Sequence, residues 1–175
     1  MIYFKDENIL IRNMNEADPK MIYDAEAEAG HHRTIESFSN RLKDQQDGKA
    51  TSLVAEYNGN IAGYVNVYIK PFPGVSDNKK PCVIEDFGVF QKFRNRGIGS
   101  KLMDIAEQIA AEYSDVVYLG VGLHSGYGSA QRMYIKRGYI PDGKGVWYHE
   151  KQLEPYSECK NDDDLVLCLS KKLRA

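Results

Sequence analysis

The sequence predicts a mixed α/β fold in which helices cover a sheet, and three observations carry that expectation. Strand-length apolar runs alternate with segments of helical periodicity in the order β-αα-ββ-β-α-β-α-β-β. Asn58-Gly59 separates two of the strand runs, and both positions of such a turn need positive φ, so the pair marks a hairpin. Residues 83–89, Val-Ile-Glu-Asp-Phe-Gly-Val, read as a buried strand that leads through a basic turn into a long helix.

Each element follows from local chemistry. Ile9-Leu10-Ile11 is a short apolar strand. The stretch from Met14 to about Leu42 is helical in tendency. Asp18-Pro19 suits its start, because Asp caps and Pro fits the first helical position. Gly30 divides that stretch into two helices. Strands 51–57 and 61–69 form the hairpin, and Pro71, Pro73 and Pro81 bracket a polar loop. In helix 97–113 the apolar residues Ile98, Leu102, Ile105 and Ile109 recur at helical spacing. A strand over 116–121 precedes a short helix over 129–137, which Gly138 ends in a left-handed conformation. Tyr139 and Ile140 begin a further strand, a polar loop spans 142–164, and 165–169 is the closing strand.

A length of 175 residues suits one domain, residues 1–175, with one core. The net charge of -2 lacks the basic excess that nucleic-acid binding needs, and no apolar run approaches membrane-spanning length. The first residues have no signal-peptide shape. Cys82, Cys159 and Cys168 are odd in number and form no C-x-x-C pair, which points to a reducing, cytoplasmic setting.

The glycines after the basic turn carry the first chemical signal. A helix start offers unpaired N–H groups and partial positive charge, glycines let an anion come close, and Arg94 and Arg96 add full charges. The expected ligand is a phosphate or pyrophosphate at the start of this helix. A P-loop would need Gly-Lys-Ser/Thr, but Gly99 is followed by Ser100. A dinucleotide fingerprint would need a small residue where Leu102 stands.

A third pattern, Arg/Gln-x-x-Gly-x-Gly/Ala, is matched by Arg94, Gly97 and Gly99. It resembles the acyl-CoA signature of the GCN5-related N-acetyltransferases, the GNAT superfamily. The segment from Ala130 to Tyr139 is similar to that family's A-x-x-x-Y-x-x-x-G-[FY], and the order of elements agrees from about residue 8 to the end. The resemblance implies a GNAT-like acyl-CoA N-acyltransferase fold, with a central, mostly antiparallel sheet and helices on both faces. It implies acetyl-CoA as donor, coenzyme A as product and a homodimer. Backbone N–H groups of Arg94, Asn95, Arg96, Gly97, Ile98, Gly99 and Ser100 would cradle the pyrophosphate. The backbone of Phe87 and Val89 would pair with pantetheine as an added strand would, and an N–H near Phe87 or Gly88 would meet the oxyanion. The loop 124–129 departs from the family in lacking an Asn; Tyr127 and Ser129 are the candidates to replace it.

Acetyl transfer to an amine needs a proton acceptor, oxyanion donors and an acid for the leaving thiolate. Glu85 is the candidate base, on the same face as Val89 if the strand is ideal. Asp86 then faces the other side, unless a bulge shifts the alternation. Glu85-Asp86-Phe87 also resembles the Leu-Glu-Asp-Ile strand of spermidine/spermine acetyltransferases, a pattern too widely shared to name a polyamine. Tyr134 is the candidate acid and thiol contact, by its place in the second motif; a phenol with reference pKa near ~10 is protonated at neutral pH. Plain structural roles compete with both: an anchored strand-end carboxylate and a core tyrosine.

Glu28, His31 and His32 have helical i, i+3, i+4 spacing, but Gly30 interrupts them and no metal is expected. Residues about 20–40 and 142–164 are expected to build the acceptor pocket, with Trp147 and Tyr148 as aromatic walls for a cationic amine. The leading reading is direct transfer from acetyl-CoA to a small primary amine in a ternary complex. The alternatives are a non-catalytic acyl-CoA sensor and an acetyltransferase for a protein or peptide N-terminus.

Overall fold

The structure is a computed structural model and describes residues 1–31, 33–72, 75 and 81–173. The chain divides into two compact units, Met1–Ile69 with Ile84–Ile109, and Lys70–Val83 with Ala110–Ala175. The first holds β1 (Ile2–Lys5), β2 (Ile9–Asn13), α1 (Asp18–Glu28), α2 (Ile35–Gln46), β3 (Ala50–Tyr57), β4 (Asn60–Ile69), most of β5 (Cys82–Val89) and most of α3 (Ile98–Tyr113). The second holds β6 (Val116–Gly122), α4 (Gly128–Lys136), β7 (Ile140–Tyr148), β8 (Lys151–Gln152) and β9 (Leu165–Lys172).

In the first unit the strand order is β1-β2-β3-β4-β5, and β1 to β4 pair antiparallel. The hairpin turns at Asn58 and Gly59, both at positive φ as expected. Met14, Ile22, Phe38, Val54, Ile61, Tyr64 and Phe90 form the buried cluster beneath α1 and α2. Burying a side chain such as Phe38 stabilises by about 1.5–3 kcal/mol. On α3, Leu102, Ile105, Ala106 and Ile109 are buried, the stripe that the helical spacing predicts. Helices lie on both faces of β5 here. The Phe38 ring of α2 meets Tyr64 edge-on at 5.7 Å, Tyr64 lies against Gly88, and Gly99 of α3 lies against Phe87 and Val89.

In the second unit the order is β5-β6-β9-β7-β8. Cys82 and Val83 of β5 run parallel to β6, and the remaining pairs are antiparallel. Val117, Leu119, Val121, Tyr139, Cys168 and Leu169 are buried there. Cys82 and Cys168 are small core residues, as the sequence suggests.

Three local differences from the sequence reading have physical reasons. Strand β1 is additional: Ile2-Tyr3-Phe4-Lys5 is too short to stand out, but it pairs along β2 at Ile2↔Arg12 and Phe4↔Ile11. Asp18 does start α1 beside Pro19, yet the N-cap is Ala17, with no side-chain cap. The Asp18 carboxylate instead takes two bonds from Arg12, at 2.6 and 2.9 Å, and one from the Asn15 N–H. The first part of the expected polar loop 142–164 is strand: β7 and β8 occupy it as far as Gln152, and a register shift against β9 between Pro141 and Val146 absorbs the residues that break the alternation. Thr34 caps α2, its hydroxyl accepting from the Ser37 N–H. Pro73 of the proline-bracketed loop lies outside the described residues.

Candidate active site

In the first unit, β5, a short turn and the start of α3 bring Glu85, Phe87, Gly88, Val89 and residues 94–100 into one strand-turn-helix. Asp86 sits inside the strand at φ 49, a left-handed residue that interrupts the alternation. The bulge left open by the sequence is therefore present. Beyond it the faces are clear: Phe87 and Val89 face α3, while Asp86 and Gly88 face the side of α1 and α2. The ideal alternation that puts Glu85 and Val89 on one face does not apply across Asp86.

The helix start is shaped for a close backbone approach. A Cβ on Gly99 would lie 3.1 Å from Phe87 Cζ and 3.4 Å from Val89 Cγ2, so a side chain here fits only if the Phe87 ring gives by a few tenths of an ångström, and glycine lets α3 begin near the strand without that shift. Gly97 turns the chain at φ 78, and nothing lies within 4 Å of where its Cβ would sit. The helical ladder begins with the Lys101 N–H on the Gly97 carbonyl, at 3.0 Å. The Arg94 amide is engaged in the turn, donating to the Gln91 carbonyl at 3.2 Å, so the expected cradle narrows to the amides from 95 onward, at the positive end of the helix dipole. This backbone fits an anion such as the pyrophosphate of an acyl-CoA. The two arginines are partly engaged. Arg94 Nε donates to the Val89 carbonyl at 3.1 Å, tying the turn to the strand end, and Arg96 stacks over Tyr57 at 5.0 Å.

On the opposite face a charged cluster surrounds the bulge. Asp86 receives Arg33 at 2.9 Å, Arg41 at 2.5 Å and the Asn66 amide at 3.5 Å. Burial is the largest single influence and opposes the charge on both arginines, but Asp86 acting with Tyr64 and Glu26 on Arg33, and with Tyr68 and Glu85 on Arg41, outweighs it, so both are held above the ordinary guanidinium range. Arg41 also donates to the Tyr68 hydroxyl, which donates to Asp44, and it lies within electrostatic reach of Glu85. Sequence reasoning placed the acceptor region at about 20–40 but did not single out Arg33, Arg41 or Asn66. Arg33 and Asp86 are 53 residues apart, and no local pattern links them.

The second unit holds Tyr134. It lies on α4, is 5% exposed, and meets Tyr139 edge-on with ring centroids 5.7 Å apart. The Tyr139 N–H donates to the Tyr134 carbonyl at 3.0 Å as Gly138 turns the chain at positive φ. Burial holds the Tyr134 phenol above its ordinary range, which keeps it an acid. In the loop that lacks the Asn, the Tyr127 hydroxyl and His124 Nε2 each reach Asp163 at 2.9 Å. Tyr148 stacks on His149 at 4.1 Å between ring centroids. Of the histidine group, His32 lies outside the described residues and His31 turns to Glu26. Among the described residues no group of three or more His, Cys, Asp or Glu is arranged to hold a metal.

The sequence profile of the Acetyltransferase (GNAT) family matches residues 16–139. No curated protein sequence matches the chain. Among solved structures, the Salmonella typhimurium acetyltransferase that modifies the N-terminal serine of ribosomal protein L7/L12 aligns with a TM-score of 0.71 at 12% identity, over 98% of this chain and 99% of that one. A ribosomal-protein-alanine N-acetyltransferase from Brucella melitensis aligns at 0.68 and 19% identity, over 93% and 99%. YncA of Salmonella typhimurium, solved with its cofactor acetyl-CoA, aligns at 0.68 and 16% identity, over 96% and 95%. At such identities the structures speak for the fold, while the profile spans the helix start, β5 and Tyr134 together. The chain belongs to the acetyltransferase (GNAT) family and is an acetyl-CoA-dependent acetyltransferase.

Proposed function

We propose that residues 1–175 form one N-acetyltransferase domain that acetylates a small primary amine by direct attack in a ternary complex. The observation that carries the acceptor class is the charge beside the bulge of β5. Glu26, Asp44, Glu85 and Asp86 outnumber Arg33, Arg41 and the Lys49 that pairs with Asp44, an excess of carboxylate that draws a cation.

Acetyl-CoA supplies the thioester that the amine attacks and the thiolate that leaves. Amides of residues 95–100 hold the pyrophosphate, and the Phe87 and Val89 backbone holds the pantetheine arm. An N–H near Phe87 or Gly88 faces the developing oxyanion. Glu85 meets the acceptor's ammonium and accepts its proton. Tyr134, kept protonated by burial, gives a proton to the thiolate.

A protein N-terminus is the second reading, favoured by the Salmonella and Brucella structures, whose own acceptors are ribosomal proteins. Coenzyme A release across small amines, polyamines, amino acids, aminoglycosides and peptides decides between them. Turnover of a small amine supports the first reading; turnover of peptides alone overturns it. The proposal includes a cytoplasmic homodimer, which light scattering tests. Cys82, Cys159 and Cys168 are free thiols, in keeping with a reducing compartment, and no described helix is long and apolar enough to cross a membrane.

A further inference from the structure

A chain of three side chains links solvent to the bulged strand, and the reaction above does not use it. It begins where α1 ends. Gly30, at φ 80, closes the helix with its N–H on the Ala27 carbonyl, and the His31 N–H returns to the Glu26 carbonyl. That closure folds the imidazole back onto its own helix, where His31 Nδ1 hydrogen-bonds to Glu26 Oε2. The other Glu26 oxygen accepts from the Tyr64 hydroxyl of β4 at 2.8 Å. Glu26 is 6% exposed and Tyr64 5%, whereas the His31 side chain is 58% exposed. The inner end stops at the reaction strand: the Tyr64 oxygen lies 3.4 Å from where a Cβ on Gly88 would stand.

A buried carboxylate hydrogen-bonded on one side to a phenol and on the other to an exposed imidazole has the form of a proton wire. A merely structural Glu26 would need no imidazole reaching into water. Resting on the N-acetyltransferase reading, we infer that Tyr64, Glu26 and His31 form a second route by which the acceptor's ammonium loses its proton, in parallel with Glu85. The proton passes from the ammonium nitrogen to the Tyr64 oxygen as the phenol's own proton passes to Glu26 Oε1. Glu26 passes a proton from its carboxyl to His31 Nδ1 as His31 Nε2 releases one to solvent, so one proton enters, one leaves, and Glu26 and His31 return to their starting charges. Tyr64 stays protonated between turnovers: burial raises its pKa, Glu26 and Asp86 raise it further, and Arg33 opposes them. Arg33 and Arg41 balance the Asp86 carboxylate on the same side of β5.

The test uses the amine that the wild type turns over fastest in the panel above, with kcat followed against pH for His31→Ala, Glu85→Gln and the double variant. His31 is exposed, so its loss spares the fold. In the Glu85→Gln background, His31→Ala lowers kcat by about tenfold or more, as loss of a general base does. It reshapes the pH profile, and imidazole added to the assay restores the rate. Tyr64→Phe gives the same loss without the imidazole rescue. An unchanged profile and no response to imidazole in either background overturn the relay while leaving the acetyltransferase reading intact. A wild type that acetylates no amine in the panel overturns the proposed function, and the relay with it.

Discussion

Glu85 and Tyr134 are the residues on which the proposed chemistry turns. Glu85→Gln removes a proton acceptor and keeps the shape, so kcat falls most at low pH, where the amine is most protonated; an unaltered pH–rate profile excludes Glu85 as the base. Tyr134→Phe keeps the edge contact with Tyr139 and loses only the acid, so kcat falls by about a hundredfold with little change in KM for acetyl-CoA. Equal losses in both parameters would instead mark a binding role. Both candidates stand out in the sequence because each sits in a short motif whose neighbours are adjacent. Arg33, Arg41 and His31 do not: their roles arise from contacts across the fold or from a helix closure, and side-chain chemistry alone does not announce them. Asp86 lies between these cases. Its residue type favours a left-handed turn, but only its backbone, at φ 49, shows the bulge formed, and Arg33 and Arg41 then close on its carboxylate.

The elements behave as small machines with separable failures. The start of α3 depends on the close approach of Gly99 to Phe87 and Val89. Gly99→Val presses a branched side chain onto Phe87 and pushes the helix start off β5. KM for acetyl-CoA rises by about tenfold, ~1.4 kcal/mol, while far-UV circular dichroism is retained. The entry to α1 depends on Arg12 instead of a cap. Arg12→Ala leaves Asp18 buried without its partner and lowers the unfolding free energy by about 3 kcal/mol, read from the urea midpoint. Helix α3 and the β3–β4 hairpin were plain in the sequence because their periodicity and turn residues are strictly local. Strand β7 was plain only at its start, because the register shift after Pro141 hides its continuation inside a run of Asp, Gly and Lys.

At the scale of the molecule, burial of ionisable groups ties stability to pH. Burial pushes the Cys168 thiol up to about 11 and the Tyr68 phenol up to about 12, and it lifts Tyr64 and Tyr134 as well. Each of these groups is neutral in the fold and ionises more readily once unfolded. Their contribution is complete below the ordinary values near ~9 for a thiol and ~10 for a phenol, and it is lost as pH rises through the shifted ones. Chemical denaturation should therefore show a flat stability through neutral pH and a progressive fall above about pH 9. Stability that holds to pH 12 would mean these groups are less enclosed than the structure shows. The donor half of the function was readable because the family's acyl-CoA signature rests on glycines close together in sequence, Gly97 and Gly99, which also shape the start of α3. The acceptor half was not, because its charge balance is assembled from α1, α2, β4 and β5. The most direct test of the whole account follows amide chemical shifts in ¹⁵N-labelled protein as acetyl-CoA is added. The account predicts the largest changes at the amides of residues 95–100 and 87–89, saturating together with binding. Saturable binding that leaves those amides unmoved would contradict it.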